Sequence, residues 1–113
     1  MNNLNSVLLE GNLTADPKLN ITSNGTSVCH FSIATNRYYK KDDVYVQKVI
    51  FTDIEVWQGL ADNCAQYLMK GRGVRVVGRI DQDKWIDKNN NNRTKLKIVG
   101  EHVEFKPMFS KTA

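Results

Sequence analysis

Residues 51–71, FTDIEVWQGLADNCAQYLMKG, change period midway. Up to Trp57 the segment alternates, with Thr52, Ile54 and Val56 on one parity and Phe51, Asp53, Glu55 and Trp57 on the other, as a strand with one face in a core requires. After Gly59 the apolar residues Leu60, Cys64, Tyr67 and Leu68 recur at helical spacing, and Gly71 stands where a helix C-cap glycine belongs. The second parity of the strand is the anomaly. It carries two carboxylates, which belong in water, beside Phe51 and Trp57, the two largest apolar side chains of residues 51–59.

Working outward, residues 4–13 read as a first strand ending near Gly11, followed by the turn-rich TADPKLNITSNGTS with Asp16-Pro17 and Asn24-Gly25 as its punctuation. VCHFSIATN alternates through Cys29, Phe31 and Ile33 as a second strand, RYYKKDD (37–43) reads as a polar connection, and a third strand runs from Val44 to Trp57. Past Gly73 the period returns to two, with Val74, Val76 and Ile80 on one parity. KWIDKNNNNRTK reads as a hairpin tipped by asparagines 89–92, and in TKLKIVGEHVEF the apolar parity shifts after Gly100, as a bulge there would cause. The inventory is all-β with one helix, placed between strands 3 and 4. Long strands with a bulge favour a closed barrel, because closure removes the sheet edges, and the five-stranded OB-fold has this inventory and order. The expected domain is residues 1–106, with 107–113 a short C-terminal extension.

A chain of 113 residues with 41% hydrophobic and 25% charged content can bury one core without staples. The N-terminus MNNLNSVLLEGNL has no basic n-region, and Glu10 interrupts its apolar run, so the reading is a cytoplasmic protein with no membrane contact. Cys29 and Cys64 lack a CxxC partner and fit apolar faces, so they are expected as core residues and no metal is expected. DQDKWID opens like a calcium loop but has Ile86 where glycine is needed and Asn92 in place of the closing glutamate. GRG at 71–73 lacks the third glycine of a dinucleotide loop, and no phosphate loop occurs, so no cofactor and no enzyme activity are expected. Asp53 and Glu55 read as a solvated strand face rather than as an acid–base pair.

The net charge of +4 is unevenly spread: residues 70–97 hold nine basic against three acidic side chains, a segment net of +6, and the remainder nets −2. Aromatic rings lie among these charges in NRYYKK and DKWIDK. Bases of a single nucleic-acid strand have apolar faces and an anionic backbone, so a groove that binds them needs exposed rings interleaved with Lys and Arg. Duplex DNA offers no free base faces. The pattern therefore predicts single-strand binding with little sequence preference. Candidate phosphate contacts are Lys40, Lys41, Lys48, Arg72, Arg75, Arg79, Lys84, Arg93, Lys95 and Lys97.

These residues carry a resemblance to bacterial single-stranded DNA-binding proteins. NSVLLEGNLTADPKL, NGTSVCHFSIATN, FTDIEVWQGLADNCAQYLMKG and GRGVRVVGRIDQDKWIDKNNNNR are similar, in order and spacing, to that family's strands, helix and tryptophan-bearing hairpin. The resemblance implies base stacking by Tyr39, Phe51, Trp57 and Trp85. It also implies a homo-oligomer, a tetramer favoured over a dimer, that protects single-stranded DNA in replication, recombination and repair. Tyr39 and Phe51 stand where members often have tryptophan, and Asp81 and Asp83 where some are basic. FKPMFSKTA lacks the family's Gly/Gln-rich linker and acidic tip, so tail-mediated recruitment of replication proteins is not expected of this core. The alternative is a primosome-type accessory protein of the same fold acting mainly through protein contacts.

Overall fold

The computed structural model describes residues 1–107. The extension expected at 107–113 thus lies, except for Pro107, outside the described residues. Six strands and one helix follow in the order β1 (Val7–Leu13), β2 (Lys18–Ile21), β3 (Ser27–Lys41), β4 (Val44–Trp57), α1 (Gln58–Tyr67), β5 (Gly73–Ile86) and β6 (Asn92–Phe105).

The sheet runs β1-β5-β6-β4-β3, and β3 returns to β1 through Asn12↔Ala34 and Leu13↔Ile33, so five strands close a barrel. All its pairings are antiparallel except β4 with β6, where Ile54 opposes Ile98. The helix lies where expected, after the third barrel strand. The short β2, which falls inside the stretch that reads as turn-rich, adds to the edge of β3. Its four residues alternate, with Leu19 and Ile21 on one parity, but all are exposed, and a run this short between Asp16-Pro17 and Asn24-Gly25 does not stand out from the turns around it. Gly25, at φ +82, makes the turn joining it to β3.

Alternation fills the interior: Cys29 and Ile33 of β3, Ile54 and Val56 of β4, and Val74 and Val76 of β5 are buried, and Ala61 and Cys64 of α1 pack on them. Burial pushes the Cys64 thiol up to about 12, so both cysteines act as apolar filler. Two barrel glycines admit close backbone contact. A Cβ on Gly78 would collide with the Val99 carbonyl oxygen, and one on Gly11 would meet that of Ala34 at 2.6 Å. The expected bulge is present: Val77 opposes His102 but Gly78 opposes Gly100, leaving Glu101 as the extra residue on β6.

Two expectations need correction. Gly71 does not cap the helix. The helix ends at Tyr67 because Leu68 turns extended and inward into the core, and Gly71 instead uses φ +89 in the turn that feeds β5, donating its N–H to the Leu13 carbonyl. Residues 37–43 are not a loop either. β3 continues to Lys41 and β4 begins at Val44, joined by Asp42-Asp43 with φ 50 and 64, a two-residue turn of the twist that hairpins favour. Among the described residues no helix is long and apolar enough to cross a membrane.

Candidate nucleic-acid interface

Strand parity builds the site. Phe51, Asp53, Glu55 and Trp57 point outward from β4, across from Ala34, Ser32, His30 and Val28 of β3. On the β5–β6 hairpin, Asp83 and Trp85 share a parity with Lys95 and Arg93 opposite them. Ion pairs join the two surfaces. Lys95 Nζ lies 2.7 Å from Asp53, and Lys97 Nζ donates to Glu55 and to Asp83, both at 2.9 Å. Phe51, Trp57 and Trp85 therefore belong to one side of the barrel, around a cleft of about 470 Å³ lined by His30, Ser32, Asp53, Glu55, Asp83 and Lys95 among others. Phe51 is 70% exposed, Trp85 47% and Trp57 39%.

The carboxylates of this face are not simply solvated, which corrects the reading of Asp53 and Glu55. Glu55 is only 7% exposed. Its Oε1 accepts the Trp57 indole N–H at 2.9 Å, and its Oε2 takes the Lys97 ammonium and lies 2.8 Å from His30 Nε2. Burial pushes the Glu55 carboxyl up, but the bonds from Lys97, His30 and Trp57 outweigh it and hold the group below its ordinary value. Asp53 is held down first by the Lys95 ammonium and then by the Ser32 hydroxyl. Negative charge beside the rings is thus neutralised locally.

The remaining rings divide by face. Tyr38 opposes Gln47, on the parity of Phe51, whereas Tyr39 opposes Val46, on the parity of Lys48 and Ile50. The register therefore puts Tyr39, half-buried under the Arg37 guanidinium at 5.3 Å, on the other face of the β3–β4 hairpin from Phe51. Tyr45, unremarked in the sequence, is exposed on the Phe51 parity with Lys40 Nζ 5.9 Å from its ring. Counting parity back from Phe51 would have found it.

The ten candidate cations also separate. Lys41, Lys48 and Lys84 have no acidic partner among the described residues, whereas Arg75 is held by Glu10 and Glu104, Arg79 by Glu101, Arg93 by Asp87 and Lys40 by Asp43. Arg72 donates to the Lys106 carbonyl and lies over Phe105. Lys97, with its side chain 14% exposed between two carboxylates, is a strut of the barrel wall rather than a free surface cation. Sequence could not show this, because its partners come from β4 and β5.

Comparison with known proteins gives one consistent result. A model of the single-strand binding protein family matches residues 4–106. A single-stranded DNA-binding protein of Treponema pallidum is 38% identical over 104 residues, covering 92% of this chain and 58% of the relative. One from Borreliella burgdorferi is 35% identical over 111 residues, covering 97% of this chain and 72% of the relative. The chain thus spans little more than half of the Treponema protein's length. In three dimensions a Plasmodium falciparum SSB, solved in complex with ssDNA, superposes with a TM-score of 0.87 at 27% identity, covering 95% of this chain and 98% of that one.

Proposed function

The chain belongs to the single-strand binding protein family, and we propose that it binds single-stranded DNA with little sequence preference, by stacking bases on exposed rings and pairing phosphates with Lys and Arg. The observation that carries this reading is the group of Phe51, Trp57 and Trp85 on one barrel side, each exposed where a core offers it no partner. A stacked ring contributes about 1–3 kcal/mol per base and does not discriminate among bases. Tyr39 is the fourth proposed stacking residue, and its place on the opposite face of the hairpin requires the strand to pass around the hairpin to reach it.

Phosphate contact is assigned first to Lys41, Lys48 and Lys84, whose ammonium groups have no acidic partner among the described residues and which, like Tyr39, lie on the parity opposite Phe51 and Trp85, so that they meet the strand where it passes around the arms. The ion-paired cations come second and Lys97 last. The protein works by binding alone, as a cytoplasmic homo-oligomer, with a tetramer favoured, that covers single strands during replication, recombination and repair. Fluorescence anisotropy of labelled oligo(dT), with the matching duplex as competitor, tests this. Tight binding of the strand, weak competition by duplex and an affinity that falls as salt rises are expected. Equal affinity for duplex, or no binding at low salt, would overturn it.

A further inference from the structure

Resting on the single-strand reading above, we propose that Glu55 is a positioning residue that fixes the Trp57 indole in the orientation that receives a base. Trp57 ends β4, and without a tether its half-exposed ring could turn about two side-chain torsions. The Glu55 carboxylate restrains it by accepting the indole N–H at 2.9 Å. That carboxylate is itself anchored, since its other oxygen binds Lys97 at 2.9 Å and meets His30 Nε2 at 2.8 Å. Lys97 is in turn held by Asp83 at 2.9 Å. His30, Glu55, Lys97 and Asp83 come from β3, β4, β6 and β5, so the ring is referenced to four strands of the barrel rather than to another mobile side chain.

The choice of residue also points to the ring. A carboxylate at 7% exposure is costly to bury unless every oxygen is bonded, and a leucine would serve a barrel wall better. Of the three groups bonded to Glu55, the indole is the only one with a large apolar face presented to solvent, so the carboxylate contributes something besides packing. A side chain ordered before binding does not have to be ordered by the ligand, which is worth about three- to tenfold in affinity.

The test uses the full chain in a W85F background, so that Trp57 is the sole tryptophan. E55L should weaken oligo(dT) binding about three- to tenfold and lower the anisotropy of Trp57 emission. E55Q, which keeps an acceptor for the indole, should restore most of both. In a W57F background, which has a ring but no N–H, E55L should cause no further loss of affinity. An equal loss in the Trp57 and W57F backgrounds would overturn the proposal, because Glu55 would then act on the barrel alone. If E55L fails to fold, indole hydrogen exchange in the unsubstituted protein decides. Exchange of the Trp57 N–H at least about tenfold slower than that of Trp85 supports the tether, since among the described residues only the former has a bonded acceptor; equal rates contradict it. Absence of oligo(dT) binding by the unsubstituted protein would remove the underlying reading and this proposal together, whereas normal binding with equal indole exchange removes this proposal alone.

Discussion

β4 is half barrel wall and half arm. From Thr52 to Val56 its alternate residues enter the core, while from Val44 to Phe51 nearly every residue is exposed, because only β3 lies beside it. β5 divides the same way, with Val74, Val76 and Gly78 buried and everything from Arg79 to Ile86 exposed. In the wall the core explains which residues occur. In the arms it explains nothing, and Tyr38, Tyr45, Phe51 and Trp85 need another reason to be there. Cross-strand pairing is one, since such pairs support a two-stranded ribbon by roughly 0.2–1 kcal/mol each. The proposed base stacking is the other and would contribute more, about 1–3 kcal/mol per ring, and substitutions can separate the two.

The strongest contrast should come from matched isoleucines. Ile54→Ala, in the wall, should lose about 2–5 kcal/mol of stability in urea unfolding, whereas Ile50→Ala, four residues away in the arm, should lose no more than about 0.5 kcal/mol. Similar losses would mean that the arm is packed against something. Next in size, Trp85→Ala should cost about 1–3 kcal/mol of oligo(dT) binding while shifting stability by less than about 1 kcal/mol. A change in stability alone would assign the ring to the ribbon. The same assay on Tyr38→Ala and Tyr39→Ala shows which face of the hairpin the strand follows.

Smaller still is the difference between two lysines. Lys48→Ala should reduce the slope of log affinity against log salt by about 0.7, the share of one phosphate on a single strand. Lys97→Ala should leave that slope unchanged and lower stability instead, because its ammonium already serves Glu55 and Asp83. The gentlest test is acid. Glu10 is lowered from an ordinary 4.5 to about 2 by Arg75 and Lys106, and Asp53 and Glu55 are lowered too. Between those values the unfolded chain binds more protons than the folded one, so the stability from Glu10 is complete above pH 4.5 and disappears as pH falls through about 2. Urea midpoints should decline on acidification below pH 4.5, and E10Q should flatten that decline.

The wall was legible in the sequence because a closed core imposes strict alternation. The change of period at Trp57 and the parity shift at Gly100 gave the helix and the bulge directly. The arms were legible only as composition. With both faces wet there is no periodic signal, so residues 37–43 read as a loop, and the choice between Tyr38 and Tyr39 needed the pairing register. The Glu55 network was hidden for a different reason. Apart from Trp57, two residues along β4, its members come from other strands, and no spacing along the chain predicts that Lys97 meets Asp83 and Glu55 at once.

Intrinsic tryptophan fluorescence during titration with oligo(dT), repeated at several salt concentrations and with duplex as control, tests the central claim that the exposed rings serve bases. Quenching by the single strand, little by duplex, and weaker binding as salt rises are the predicted result. No quenching and no binding at low salt, with tryptophan emission shifting to the blue as protein concentration increases, would contradict it and assign Trp57 and Trp85 to a protein interface.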